Sequence, residues 1–427
     1  MRARPNLPLP FRGFAERTMT RACGIDFGTS NSSVGVCAAN GPHLLELQRG
    51  ATSVPTALFF GADGSPAAYG RDALERYFER EPGRYLRAIK SVLGTSLFDE
   101  TTLAGRKRYG FGEIVAAFLR FLRAKAGEPT SVVLGRPAFF VDDDPAADAA
   151  AQRQLEDAAR VAGFSNIAFQ FEPIAAALDY EQSVRGEEIA LVADIGGGTS
   201  DFSVVRVSPA RAKARDRQGD ILGFTGVHVG GTDFDRQLSL ACAMPELGLG
   251  SPMLRAELAA PSWYFFDLAT WHRINFLYEP RVLAEIRGVL RESAAPGKIE
   301  RLVAVLEQRR GHELLASVEA AKIALSHATH AAIELDAGIA IEIVRADLDR
   351  AVADNLARIQ ARIGDVLRLA GLAPGAISAV FLTGGATRMP AVRDTIAAAM
   401  PNARLVAGDA FGSVATGLAL DAAKRFA

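Results

Sequence analysis

At 427 residues the chain is too long for one compact core, so at least two domains are expected. Its 49% apolar and 23% charged content is that of an ordinary globular protein, and a formal net charge of −1 gives no electrostatic reason to expect nucleic acid as a partner. It has no uninterrupted apolar run of the roughly 18 residues that a spanning helix needs, so no membrane span is expected. The three cysteines, Cys23, Cys37 and Cys242, lack metal-ligand spacing and fit a reducing cytoplasm.

Residues 1–20 are rich in proline and arginine (Arg2, Arg4, Arg12, Arg17) and lack the apolar stretch of a secretory signal. A disordered extension, or a start at Met19, is expected there. Residues 23–38 read as a hairpin whose turn holds Asp26, Gly28, Thr29 and Ser30, with Cys23 and Cys37 as buried thiols on its strands. Residues 44–47 are expected to pair with it, and residues 53–60 to form one strand entered through Pro55. Residues 71–95 read as helical segments broken at Pro82-Gly83, and 114–126 as an amphipathic helix through Ile114, Phe118 and Leu122. A buried strand over 131–140 ends in a turn. The acid run at Asp142–Asp144 reads as a solvated loop, because successive carboxylates diverge rather than converge on a metal. A helix over 149–162 and a strand over 167–171 precede Glu172-Pro173, where a glutamate suits a helix start.

The densest chemistry follows. A strand at 189–192 runs into Asp194, Gly196-Gly197-Gly198, Thr199 and Asp201, and a second strand follows at 202–207. Glycines in such a turn let backbone N–H groups approach an anion closely. Two carboxylates at the same turn would repel phosphate unless a cation lay between, which points to a Mg²⁺–nucleotide site. The turn at Asp26 repeats this grammar 168 residues upstream. A hairpin repeated at domain-sized spacing predicts two similar lobes clamping one polyphosphate.

Residues 210–219 read as a solvated basic loop carrying Arg211, Lys213, Arg215 and Arg217. Gly230-Gly231 marks a turn into a helix, and the aromatic group Trp263 to Tyr278 is expected to be core. A helix over 313–326, a short hairpin over 333–343 and one long helix over 345–369 come next. A strand at 380–382 then enters Gly384-Gly385, and a last helix spans 413–425.

The segments around Asp26, Asp194 and Gly384 to Arg388 resemble the two phosphate motifs and the adenosine motif of the actin-like ATPase superfamily. The strings at 169–180 and 409–417 resemble DnaK-type heat-shock chaperones, with the shorter YegD-type branch the nearest likeness, and the resemblance runs over roughly residues 22–427. It implies an α/β, two-lobed actin-like (duplicated ribonuclease H-like) fold, each lobe a mixed sheet flanked by helices with a smaller upper subdomain. The implied boundaries are 21–186 plus 408–427 for lobe I (upper part about 57–130) and 187–407 for lobe II (upper part about 233–344).

The resemblance also implies ATP or ADP with Mg²⁺ in the cleft. Asp26, Asp194 and Glu172 would hold the metal, mostly through water. Gly28, Thr29, Ser30, Gly196, Gly197, Gly198, Thr199, Gly230 and Gly231 would hold phosphates. Lys90 would steady the terminal phosphate and the attacking water, and Asp201 would orient that water. Glu319, Lys322 and Ser326, spaced for one helix face, would hold ribose and base together with Gly384, Gly385 and Arg388; Asp409 is an acidic residue near the cleft. Pro137 matches a family switch proline, whereas Arg153 lies farther from it than the family's relay arginine. Ile323 departs from the pattern, since chaperone members place there an arginine that stacks on adenine.

The function so implied is an ATP-binding, weakly hydrolysing chaperone-like nucleotide switch in the cytoplasm. Its implied partners are the nucleotide and a protein client or exchange factor, with no nucleic acid and no membrane. Alternatives are a small-molecule kinase of the same superfamily or an actin-like assembly protein. Few residues follow the last matched helix, so a peptide-binding domain is not expected and extended hydrophobic peptides are expected to leave the ATPase rate unchanged.

Overall fold

A computed structural model describes residues 22–426 except 138, 142–143, 215–216, 256–258, 272, 336–338 and 410–411. The extension at 1–20, two members of the acid run and Arg215 of the basic loop therefore lie outside the described residues.

Two central sheets repeat one plan. In the first, Ala22–Phe27 pairs antiparallel with Asn31–Ala38, which pairs antiparallel with Gly41–Leu44. On the other side Ala22–Phe27 runs parallel to Ser131–Arg136, and that strand runs parallel to Asn166–Phe171. In the second, Glu188–Ile195 pairs antiparallel with Ser200–Val207 and this with Ile221–Val227, while parallel Ala379–Thr383 and Arg404–Ala407 complete the other side. The hairpin repeat read from Asp26 and Asp194 is thus the centre of a duplicated five-strand path.

Alternation along the strands sorts the core. Leu191, Ala193 and Ile195 face the large core of the second lobe, whereas Ala190 and Val192 face a smaller one between the sheets. That smaller core holds two helices, Glu172–Glu181 and Ser413–Arg425. The helices cross so closely that a Cβ on Gly417 would fall 1.8 Å from the Ala175 carbonyl oxygen. The second helix also lies on the first sheet, where Gly24 and Gly35 leave room for its backbone. Above the sheets, one lobe carries Ala57–Gly61 between Pro66–Tyr69 and Gly83–Arg87, and the other carries the hairpin His330–Leu335 with Ile339–Val344.

Several expectations need correction. Residues 71–95 are not helical throughout. Gly70–Phe78 is, but Gly83–Arg87 is a strand, because Ala57–Gly61 buries Phe59 and Phe60 and offers a paired edge. The stretch 53–60 is two strands in two sheets: Ser53–Pro55 pairs with Asn31–Ser33, and Thr56 breaks the run by donating its hydroxyl to the Gly28 carbonyl. The helix expected over 345–369 is interrupted at Val352, giving Arg345–Ala351 and Ala353–Ala370. It is the preceding strand Gly41–Leu44 that pairs with the first hairpin, with Leu45 adding one bond to Val34. Cys23 is buried and its thiol is pushed up to about 12 by burial, but Cys37 keeps some exposure.

The basic loop is the largest departure. Arg217 is 2% exposed at its side chain and pairs with Glu181, itself 0% exposed, at 2.8 Å. Asp220 is shared by Arg217 and Arg211. The loop keeps Lys213 exposed and Arg211 partly so, as expected, but Arg217 and Asp220 turn inward and with Glu181 form a dry ion cluster joining the second sheet to the helix Glu172–Glu181.

Candidate functional site

The lobes enclose a cavity of about 1040 Å³ between the two glycine turns. Asp194 and Asp201 stand directly opposite one another on the second hairpin. Like charges in that register repel unless a cation intervenes. Asp26 comes from the first hairpin and Glu172 from the start of its helix, and both border the same cavity. Each carboxylate keeps a face open to the cavity, yet for Asp26 and Asp194 burial and neighbouring negative charge disfavour the ionised form. Asp26 is pushed up to about 7 by burial and then by Glu172, with Lys90 opposing. Asp194 is raised well above the ordinary carboxylate range by burial, then by Asp201, Glu172 and Asp26.

Lys90 enters this group on a short 3₁₀ turn, Ile89–Val92, where a helix was expected. Its Nζ donates to Glu172 Oε1 at 2.8 Å. Burial lowers its pKa, but Glu172, Asp26 and Asp201 together outweigh this and raise it. Four carboxylates against one lysine would carry a surplus of negative charge once ionised, and the raised pKa values of Asp26 and Asp194 are the cost of that surplus with no cation between them. The donor set therefore fits a hard divalent cation with its water shell. Among the described residues no three His, Cys, Asp or Glu side chains converge as direct ligands.

The two turns meet above the carboxylates. A Cβ on Gly197 would lie 2.0 Å from Ser30 Oγ, so only glycine permits this approach. The second turn is closed by Gly196 N–H donating to the Thr199 carbonyl, and Thr199 Oγ1 donates to Asp201 at 3.0 Å. Gly231 and Thr232 N–H groups donate to the Gly196 and Gly197 carbonyls, which seats Gly230-Gly231 behind the turn. Gly384, at φ +83°, packs on the other side, where a Cβ would fall 2.6 Å from Asp194 Oδ1.

At the far end, Glu319, Lys322, Ile323, Ser326, Gly385 and Arg388 border the cavity. Glu319, Lys322 and Ser326 follow from the helix Gly311–Leu325 and its C-terminal turn. Lys322 is engaged within the protein: its Nζ donates to the Gly231 carbonyl at 3.0 Å and pairs with Asp235 at 2.7 Å. Asp409 sits in the turn before the closing helix, where its carbonyl accepts from the Gly412 and Ser413 amides.

Sequence reasoning missed Asp235, Tyr85, Arg87 and Trp271, all of which border the cavity. Asp235 lies on the helix Gly231–Leu238 that follows the Gly230-Gly231 turn and is pushed up to about 6, mainly by burial. Its place just after that turn was the signal for it. Tyr85 and Arg87 were hidden by reading their strand as helix.

The Hsp70 protein family model matches residues 22–244 and 298–424. The chain belongs to the Hsp70 family. The chaperone protein HscA homolog of Bordetella petrii is 31% identical over 424 residues, covering 94% of this chain and 57% of that protein. Chaperone protein DnaK of Thermus thermophilus is 28% identical over 403 residues, covering 88% and 56%. Chaperone protein DnaK of Mycoplasmopsis synoviae is 27% identical over 378 residues, covering 87% and 53%. The chain thus spans little more than half the length of these Hsp70 relatives. Family membership accounts for the actin-like two-lobed architecture, and no helix among the described residues is long and apolar enough to cross a membrane. Residues 245–297 lie outside the matched segments.

Ile323 is 54% exposed and faces the cavity with Arg388. A cleft that takes ATP with its base at this end, as the resemblance implies, should bind it severalfold tighter in Ile323→Arg, since stacking a guanidinium on a base contributes about 0.5–2 kcal/mol. Titration by calorimetry checks this; unchanged affinity in a folded variant would show that residue 323 does not meet the base.

Proposed function

We propose that this chain binds Mg²⁺–ATP in the cleft and hydrolyses it slowly, acting as a chaperone-type nucleotide switch. The reading rests above all on the meeting of the glycine turns at Gly197 and Ser30 over the cluster of Asp26, Asp194, Asp201 and Glu172. Membership of the Hsp70 family supports it. The lobes are assigned to residues 21–186 with 408–427 and to residues 187–407. The expected setting is the cytoplasm, and the expected partners beyond the nucleotide are a client protein or an exchange factor.

Mg²⁺, when bound, neutralises phosphate charge as the bond to the terminal phosphorus loosens. Asp26, Asp194 and Glu172 would hold its water shell. Lys90, anchored by Glu172, is placed to donate to a phosphate oxygen. Thr199 and Asp201, bonded to each other, orient the attacking water. Turn amides at residues 28–30 and 197–199 carry the remaining phosphate charge, while the Gly196 amide closes the turn on Thr199. Catalysis of this kind is positioning and electrostatics, with no covalent intermediate.

Thr199→Ala and Lys90→Met should therefore lower the turnover rate by tenfold or more while changing nucleotide affinity far less. Single-turnover phosphate release alongside equilibrium titration separates the two. Equal loss of affinity and turnover would remove these residues from their assigned roles.

A further inference from the structure

Lys90 and Glu172 reach the cleft from different elements, the turn Ile89–Val92 and the helix Glu172–Glu181, yet stand 2.8 Å apart. A third element keeps them together. The strand Ser131–Arg136 ends against Glu172, where a Cβ on Gly135 would fall 3.2 Å from the Glu172 Cγ. Arg136 is level with Phe171, the residue before Glu172, on the neighbouring strand. Lys90 Nζ lies 5.9 Å from the ring centroid of Phe140, just past Arg136 in the chain.

The Arg136 side chain is 13% exposed and joins all of these pieces. Its Nε donates to the Pro137 carbonyl at 3.1 Å, Nη1 to Gln152 Oε1 at 2.5 Å and Nη2 to Asp148 Oδ2 at 2.9 Å. Asp148 also accepts from the Phe140 amide at 2.6 Å. The guanidinium lies 5.1 Å from the Phe171 ring centroid and 5.3 Å from that of Phe140. Asp148 and Gln152 belong to the helix Pro145–Ala162, and the same helix reaches the Lys90 turn. There Gln154 Oε1 accepts from the Gly94 amide at 2.8 Å, and a Cβ on Gly94 would fall 3.1 Å from the Ala151 Cβ. A planar guanidinium can bond along its edge and pack on aromatic rings at once; a lysine ammonium in its place cannot.

We infer that Arg136 is a positioning residue for the Lys90–Glu172 pair. It fastens the chain at Pro137–Phe140, the strand end at Phe171 and the helix Pro145–Ala162 into one block, with Phe140 beside Lys90 and Phe171 beside Glu172. Arg136 does not itself border the cavity, whereas Lys90, Pro137, Phe140 and Glu172 do. It therefore acts through those neighbours and not on the ligand. Lys90 and Glu172 are assigned to the terminal phosphate and the metal's water shell, so loosening them slows the chemistry more than it weakens binding. A displacement of about 1 Å at such a group is enough to cost about a hundredfold in rate. Arg153, on the same helix, is exposed and has no part in this block.

This inference rests on the nucleotide reading for its reaction, so its test has two arms. In the first, single-turnover phosphate release from Mg²⁺–ATP is measured beside equilibrium titration. Arg136→Met should lower turnover by about tenfold or more while affinity stays within about twofold. Arg136→Lys should recover little of the loss, and Arg153→Ala should leave both quantities alone. Adding Lys90→Met to Arg136→Met should cost far less than Lys90→Met costs in the parent, because the lysine is already misplaced. Unchanged turnover in Arg136→Met, equal loss of affinity and turnover, or losses that simply multiply would each overturn the positioning role. Should Arg136→Met fail to fold, Asp148→Asn removes the ion pair alone and should show the same split and the same coupling to Lys90. The second arm needs no nucleotide. Trace acetylation with acetic anhydride, read by mass spectrometry, compares the paired Lys90 with the exposed Lys213. In Arg136→Met, or in Asp148→Asn, the Lys90 to Lys213 ratio should rise severalfold with native circular dichroism. An unchanged ratio overturns the inference even if ATP is hydrolysed. A parent protein that binds no Mg²⁺–ATP would instead refute the nucleotide reading, with acetylation still deciding whether Arg136 holds Lys90.

Discussion

Arg217→Ala is expected to destabilise the chain by about 3–5 kcal/mol, the cost of stripping one partner from a buried ion pair. The size follows from what is left behind. Glu181 is fully covered, accepts two bonds from Arg217 and one from the Ser208 amide, and has no solvent to turn to. Asp220 would keep Arg211 but lose its second partner. Charge removal on the other side should show the coupling: Glu181→Gln combined with Arg217→Ala should cost clearly less than the two single losses added together. Denaturant melts of the four proteins measure this. Strict additivity, or a single loss below about 1 kcal/mol, would mean that the cluster is hydrated in solution and does not tie the lobes.

Mg²⁺–ATP at about a thousandfold excess over its dissociation constant should stabilise the fold by roughly 4 kcal/mol. For a chain of 427 residues this corresponds to a melting shift of about 4–5 °C. The effect should require both nucleotide and metal, because the carboxylates that would hold the ion repel a phosphate without it. Asp194→Asn gives a test of opposite sign. It removes a like charge facing Asp201, so the ligand-free variant should melt above the parent, yet its magnesium-dependent shift should vanish. A parent protein whose melting ignores Mg²⁺–ATP, or an Asp194→Asn variant that still responds fully, would sink the proposed site.

The two hairpins were legible because their signal is local. A strand, a carboxylate and a glycine turn need only a dozen consecutive residues, and the motif appears twice. Glu172 was legible for the same reason, within an unbroken string. The strand Gly83–Arg87 was not. Its five residues follow a helix and a Pro-Gly break, and only the waiting edge of Ala57–Gly61 decides their state. That error hid Tyr85 and Arg87 from the cavity wall. Arg217 was misread because the charge pattern of a loop says nothing about the acid that meets it from a distant helix end. The aromatic stretch was half legible: Tyr264 and Phe265 are core as expected, but Phe266 and Phe276 are exposed, and Trp271 reaches across to the other lobe.

The closing helix has a consequence for how the chain is made. Ser413–Arg425 packs on Ala22–Phe27 so tightly that Gly24 has no room for a methyl group. The two segments are roughly 390 residues apart in sequence, which at translation rates of about 5–20 residues per second is roughly 20–80 s. From the completion of its last strand at Phe171 until the helix is made, the first sheet lacks the element that covers its inner face, leaving apolar positions such as Val133 open. The first lobe therefore matures only after the second has been synthesised, and its stability depends on contacts of very long range. Such pairings are slow to form and leave sticky surface exposed meanwhile. A ribosome-stalled chain ending before residue 413 should remain protease-sensitive in its first 180 residues, and release of the longer product should protect them.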